Sequence, residues 1–352
     1  MNKGEWSEFY TFLRLLGDGK LYAADANLNK IPALYYPLIK IIRHSKCFKE
    51  PSFYEIDNEN IIINNENYNN LKKIPNDKFS VNANKLFKII KDASCSSFEA
   101  PEIYDFITEI GSPLIKEKSS SKRDITVIIH DINTGYKPEV GFSIKSKLGG
   151  DSTLFNANIT NNFKYRIEGL DNLNRDLIDS IRSLKAKELV KTLNLHKCTL
   201  VFESVIDSNF ESNLHMVDSN FPIILAEMIR LYYSGYSKYI KDLICKVAET
   251  NPCGFKNNEI FPFYLYKVKG FLTACALGMT SKKPWNGNFD VLGGYIVVKE
   301  NGDLLCYHIY NWNDFQEYLV NNTYIDTPST TRHKFGYIEG NKLNLNFQIR
   351  FT

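Results

Sequence analysis

The chain has 352 residues, 43% of them hydrophobic and 24% charged. That fits two structural units or one large one with a well-buried core, and it excludes a disordered chain. The net charge is only +3, compatible with a nucleic-acid partner but no argument for one. There is no apolar run long enough for a membrane span and no secretory signal at the start, and the seven cysteines include no Cys-x-x-Cys pair. These features point to a reduced, cytoplasmic protein without a membrane segment, zinc ribbon or disulfide framework.

The first helix is marked at both ends. Asn2 stands three residues before Glu5, the spacing of a capping box, and Gly17-Asp18-Gly19 stops the helix. Between them Trp6, Phe9, Leu13 and Leu16 recur at helical spacing as a core stripe. An Asn-rich stretch from Asp57 to Asp77 reads as an insertion or irregular hairpin, followed by helices over about Val81–Asp92 and Pro101–Ile110. Lys116 to Arg123 is a basic, Ser-rich linker. Residues 124–130 are apolar on both faces and read as a central strand that includes His130. After a turn at Asn133-Thr-Gly135, residues 139–145 form its partner, with Val140, Phe142 and Ile144 on one face and Gly141, Ser143 and Lys145 on the other. The second half opens with helices near Asn174–Leu193 and Pro222–Thr250. Strands over Gly293–Lys299 and Leu304–Tyr310 flank Asn301-Gly302, a pair suited to a type I′ turn. A short helix is expected with Asn313 and Gln316 at capping-box spacing. At the C-terminus Leu343, Leu345, Phe347, Ile349 and Phe351 alternate along one strand face.

The hairpin of residues 124–145 carries the chemistry. It brings Asp124, at the start of one strand, beside Lys145, at the end of the next. A carboxylate beside a lysine that faces away from the apolar stripe suits metal-dependent phosphodiester hydrolysis. The carboxylate would hold Mg²⁺, a hard cation that prefers oxygen ligands, and the lysine would position water and offset charge on the phosphate. Taken singly, Lys145 reads equally as a solvent-facing strand lysine and Asp124 as a strand-start residue.

Arg123-Asp124 followed by Ser143-Ile144-Lys145 resembles the PD-(D/E)xK nuclease superfamily. Arg123 replaces the usual Pro, and Ser143 replaces the usual acidic residue, so a second metal-binding carboxylate has to come from elsewhere. Lys3-Gly4-x-x-x-Glu8 resembles the helix signature that supplies it in related nucleases, which puts Glu8 forward as catalytic and metal-binding. Glu5 and Glu139 are the other candidates, although acidic residues in a first helical turn also complement the helix dipole without any metal. Ser143 either hydrogen-bonds a metal-bound water or fills space.

The resemblance extends further. Asn2-Lys-Gly-Glu-Trp-Ser-Glu8, Lys20-Leu-Tyr-Ala-Ala-Asp25, Gly141-Phe-Ser-Ile-Lys-Ser146, Thr153-Leu-Phe-Asn-Ala157 and Thr327-Pro-Ser-Thr-Thr-Arg-His333 together are similar to the HpaII-type restriction endonucleases. That resemblance implies Mg²⁺-dependent cleavage of double-stranded DNA at 5′-CCGG, and a cognate methyltransferase that protects the host site without direct contact. A palindromic site suits a homodimer, or a monomer that nicks each strand in turn. The Ser/Thr/Asn-rich segment 146–162 lies where DNA must run, with Lys147, Ser152, Thr153 and Asn156 as candidate contacts and Lys164 as added charge; Arg332, His333 and Lys334 are candidates near the C-terminus.

The expected fold is α/β: a PD-(D/E)xK-like mixed central sheet flanked by helices, with additional C-terminal α+β elements. The catalytic core would cover residues 1–170, and residues 171–352 would complete the DNA-binding groove. Two other functions fit the same motifs, a structure-selective or repair nuclease of this superfamily and a DNA-binding protein that has lost its metal site.

Overall fold

A computed structural model of the chain describes residues 1–44, 49–66, 71–112, 123–132, 134–256, 259–308 and 311–352. The expected linker from Lys116 lies outside these residues up to position 122, as does Asn133 of the expected turn. No helix among the described residues is long and apolar enough to cross a membrane. The chain divides into two units, one of residues 1–152 and 289–318, the other of residues 153–288 and 319–352.

The first unit begins with α1 (Lys3–Asp18), β1 (Lys20–Ala24), β2 (Lys30–Arg43), β3 (Ser52–Asp57), β4 (Asn60–Asn64), β5 (Lys72–Pro75) and α2 (Asn76–Asp92). It continues with α3 (Tyr104–Glu109), β6 (Ile125–Ile129) and β7 (Glu139–Ser146). The second unit then contributes β8 (Thr153–Phe155), β9 (Phe163–Glu168), α4 (Arg175–Arg182), α5 (Ala186–Leu195), β10 (Thr199–Val205), α6 (Ser208–Val217), α7 (Phe221–Ser234), α8 (Ile240–Thr250) and α9 (Phe261–Leu277). The chain returns to the first unit for β11 (Gly294–Val298), β12 (Leu304–Tyr307) and most of α10 (Trp312–Asn321). It ends in the second with β13 (Thr323–Asp326), α11 (Thr330–His333), β14 (Ile338–Glu339), β15 (Lys342–Leu345) and β16 (Gln348–Phe351).

A nine-stranded mixed sheet in the order β1-β12-β11-β7-β6-β2-β3-β4-β5 organises the first unit, and β1 also pairs with β2. The long β2 makes this branching possible. Its residues up to Pro37 pair with β1 and those from Leu38 pair with β6, so Pro37, which has no N–H, stands where the partner changes. β6 lies between β2 and β7, in keeping with its apolar character on both faces. Of the stretch after Asp57, residues 67–70 lie outside the described ones, and the rest supplies β4 and β5, which extend the sheet edge beyond β3. Residues 289–318 return to the first unit because β11 pairs with β7 and β12 with β1.

α1 packs its expected stripe into the core, with Trp6, Phe9, Leu13 and Leu16 all at 0% exposure. Phe12 joins them, edge-on to Tyr54 at 4.8 Å between centroids. Fully burying side chains of this size stabilises the fold by roughly 1.5–3 kcal/mol each. Gly17 allows α2 to approach: a Cβ there would fall 2.3 Å from Ser80 Oγ. Gly294, at φ 94°, opens β11 where a Cβ would lie 1.9 Å from Tyr307 O, so no other residue fits.

Several local expectations change. α2 starts at Asn76 rather than near Val81, and the expected helix near Pro101 is a 3₁₀ turn leading into α3. Asn301 is not left-handed although Gly302 is, so the β11–β12 loop is not a type I′ turn, which needs positive φ at both. It closes instead through Gly302 N donating to Lys299 O (2.9 Å). Asn313 lies inside α10 rather than at its cap. The expected helices over 174–193 and 222–250 each break in two, into α4 and α5 and into α7 and α8. The alternating C-terminal residues are all buried, but β15 joins the sheet β10-β9-β15-β14 while β16 joins β13-β16-β8. Three buried amides frame that change. Asn346 donates to Asn162 Oδ1 (2.6 Å), Asn161 donates to Phe347 O (3.0 Å), and Asn162 donates to His333 O (3.0 Å).

Candidate active site

The β6–β7 pair sets the geometry. Ile125 is opposite Phe142, and one residue earlier the Asp124 N–H donates to Phe142 O (2.8 Å). That register puts the Asp124 carboxyl against the next residues of β7. Its Oδ2 accepts from Ser143 Oγ at 3.0 Å and from the Ile144 N–H at 2.7 Å. Two donors on one oxygen fix the carboxylate's orientation and leave its other oxygen for different chemistry. Ser143 is 4% exposed. Its hydroxyl acts on the carboxylate that the sequence motif paired it with.

Val140, Phe142 and Ile144 point into the core, which leaves Lys145 on the other face with Ser143. The β7–β11 pairing sets Tyr295 opposite Ser143, and the Lys145 Nζ lies 5.3 Å from the centroid of the buried Tyr295 ring. Phe315 holds that ring edge-on, 5.3 Å away. Burial pushes the Lys145 pKa below its ordinary value, and the charges of Asp124 and then Glu8 pull it back upward. Both carboxylates therefore act on one ammonium. Glu8 comes from α1, whose first turn lies along β7 at a cleft of about 380 Å³. Glu8, Lys145, Lys3, Ser146, Gly149 and Ser152 are among the residues that line it.

The other acidic candidates are placed differently. The Glu5 carboxylate accepts from the Asn2 N–H (3.0 Å), and the Asn2 side chain accepts from the Glu5 N–H (2.8 Å), completing the expected capping box. Glu139 is exposed at the far end of β7, about 20 Å of strand from Lys145. Lys147 is half-buried just beyond β7, with its N–H donating to Val298 O (2.9 Å). Thr153, Asn156, Arg332 and His333 belong to the second unit. Asn156 and Arg332 are exposed there, and burial, then the Arg332 charge, lowers the His333 pKa. His130 follows β6 rather than lying in it and donates its N–H to Pro37 O (2.8 Å). Sequence reasoning missed Tyr295, whose partner strand lies far along the chain, and Ser96 and Gly149 on the cleft wall. It quoted Lys3 in a signature without giving it a task.

The HpaII restriction endonuclease family model matches residues 2–351. The chain belongs to the HpaII restriction endonuclease family. It is 41% identical to the type II restriction enzyme HpaII of Haemophilus parainfluenzae, over 99% of this chain and 98% of that enzyme. No solved structure matches. Membership of this family makes the chain a type II site-specific deoxyribonuclease with DNA as its partner.

Proposed function

We propose that the chain cleaves both strands of duplex DNA at 5′-CCGG with Mg²⁺, using a PD-(D/E)xK-type centre of Asp124, Glu8 and Lys145. The observation that carries this reading is that Glu8 and the half-buried Lys145 line one cleft, while Asp124, held by Ser143 and the Ile144 N–H, sits against the same stretch of β7.

No group of three or more His, Cys, Asp or Glu side chains that could hold a metal occurs among the described residues. The donor chemistry nevertheless fits a hard cation. Asp124 has one oxygen fixed by two donors, and Glu8 brings a second carboxylate to the cleft. Asp124 and Glu8 would hold Mg²⁺, which when bound neutralises phosphoryl charge and lowers the pKa of a water. Lys145 orients the attacking water and meets the negative charge that grows on the phosphoryl group in the transition state. The Tyr295 ring supports its ammonium. Ser143 acts as a positioning group that holds Asp124 in its rotamer, in place of a further metal ligand. Lys147 and Ser152 in the first unit, and Thr153, Asn156, Arg332 and His333 in the second, contact the DNA. A homodimer presents two such centres to the two strands of a palindrome. A cognate methyltransferase protects the host by modifying the same site.

A digest of unmodified plasmid tests the reading. Discrete fragments whose ends map to CCGG, formed with Mg²⁺ and absent in EDTA or after cytosine methylation of the site, are expected. Ends sharing another motif would refute the CCGG assignment. Cleavage confined to branched DNA, or binding without cleavage, would refute the restriction reading.

A further inference from the structure

Lys3 opens α1 and lines the same cleft as Lys145 and Glu8. Its N–H donates to Ser96 O (3.2 Å), and its aliphatic stem runs beside Gly149, where a Cβ would sit 3.4 Å from Lys3 Cβ. The stem is thus placed while the ammonium is left over. Among the described residues no acidic side chain pairs with it, whereas Lys145 has both Asp124 and Glu8 acting on it. Its position also runs against the helix. The first turn of a helix favours anions, and the capping box already supplies one in Glu5. The fold gains nothing electrostatically from a cation at this place, but a polyanion entering the cleft does.

We infer that Lys3 is a second phosphate-binding residue of the cleft, contacting a backbone phosphate of duplex DNA that flanks the one cleaved. The inference rests on the nuclease reading above and divides the two cleft lysines by task. Lys145 meets charge that develops in the reaction. Lys3 meets charge already present on the bound DNA, so it contributes affinity without reading sequence.

The test is a gel-shift titration in EDTA with two duplexes of equal length, one containing CCGG and one with that site scrambled, repeated over a range of salt. Lys3→Gln keeps most of the stem against Gly149 and removes the charge. It should weaken binding to both duplexes by a similar factor, roughly fivefold near 0.1 M salt, and reduce the slope of log affinity against log salt by about 0.9. The melting temperature should hold or rise, whereas a merely structural lysine would lower it. Lys3→Arg should recover both affinity and slope. Single-turnover cleavage at saturating DNA should fall less than tenfold. Unchanged affinity and slope in Lys3→Gln would overturn the inference, as would a collapse of the saturated rate with affinity intact. Lys145→Ala measured alongside keeps the failures apart: wild-type cleavage in that variant would sink the active-site reading, while the salt slope of Lys3→Gln answers separately.

Discussion

Ser143→Ala removes one of the two hydrogen bonds that fix Asp124 Oδ2. The lost bond is 3.0 Å long and made to a carboxylate, while the 2.7 Å bond from the Ile144 N–H remains. A hydrogen bond to a charged group contributes about 1.5–3 kcal/mol net. With a second donor still in place and Asp124 only half-buried, the stability loss should fall at the bottom of that range, about 1.5 kcal/mol. Thermal unfolding should shift down by roughly 3–6 °C, on the scale of about 2–4 °C per kcal/mol for a large domain. The effect on cleavage should be larger than that on stability. A misplacement of about 1 Å in a catalytic group costs on the order of 10²-fold in rate, so single-turnover cleavage should fall by roughly 10–100-fold and require more Mg²⁺ for half-maximal rate. Ser143→Thr, which keeps the hydroxyl, should recover most of the rate. Ser143→Asp sets a second carboxylate beside Asp124 and should cleave more slowly than wild type. Wild-type rate and stability in Ser143→Ala would refute the positioning role. Cleavage by Ser143→Asp faster than wild type would show that position 143 is a ligand position, and would refute it too.

Lys145→Ala should lose about 10²–10³ in single-turnover rate with DNA binding nearly intact, and Lys145→Arg should not rescue it, because a broad guanidinium does not replace a compact ammonium. Glu8→Gln should abolish most cleavage while leaving metal-free DNA binding in a gel shift, whereas wild-type rates would remove Glu8 from the metal site. His308 is 1% exposed between the rings of Tyr36 and Phe142, and burial lowers its pKa to about 4, with Asp131 pulling the other way. The unfolded chain binds this proton near 6.5 and the folded one only near 4, so stability is full above about 6.5 and declines as pH falls toward 4, by roughly 3 kcal/mol. His308→Phe should flatten that acid limb in thermal unfolding measured from pH 7 to 4.

Local signals were legible where one element settles its own structure. Asn2, Glu5 and Gly19 set both ends of α1 by capping, and the two apolar faces of residues 125–129 marked a strand with neighbours on both sides. The pairing of Asp124 with Ser143 and Lys145 followed from the length of one hairpin. What stayed hidden depends on distant partners. β2 contains Pro32 and Pro37, which argue against a strand until its change of neighbour is known. Alternation through Leu345 and Phe347 continues unbroken across a change of sheet that buried Asn346 and Asn161 enforce. Tyr295 enters the site through a parallel pairing that no spacing rule connects to Ser143. Glu8 and Glu5 differ only in that one side chain turns to the helix cap and the other to the cleft.

The insertion of the second unit into the first determines when the nuclease is complete during synthesis. β7 ends at Ser146, and its parallel neighbour β11 begins only at Gly294. At roughly 5–20 residues per second the ribosome needs roughly 7–30 s to bridge that interval. Until then the outer edge of β7 has no partner strand, and Lys145 lacks the Tyr295 ring beneath it. Prematurely terminated chains that contain Glu8, Asp124 and Lys145 therefore carry the charged side chains proposed for the centre without the strand that braces Lys145. The last strand to brace Lys145 is thus also among the last parts of the first unit to leave the ribosome.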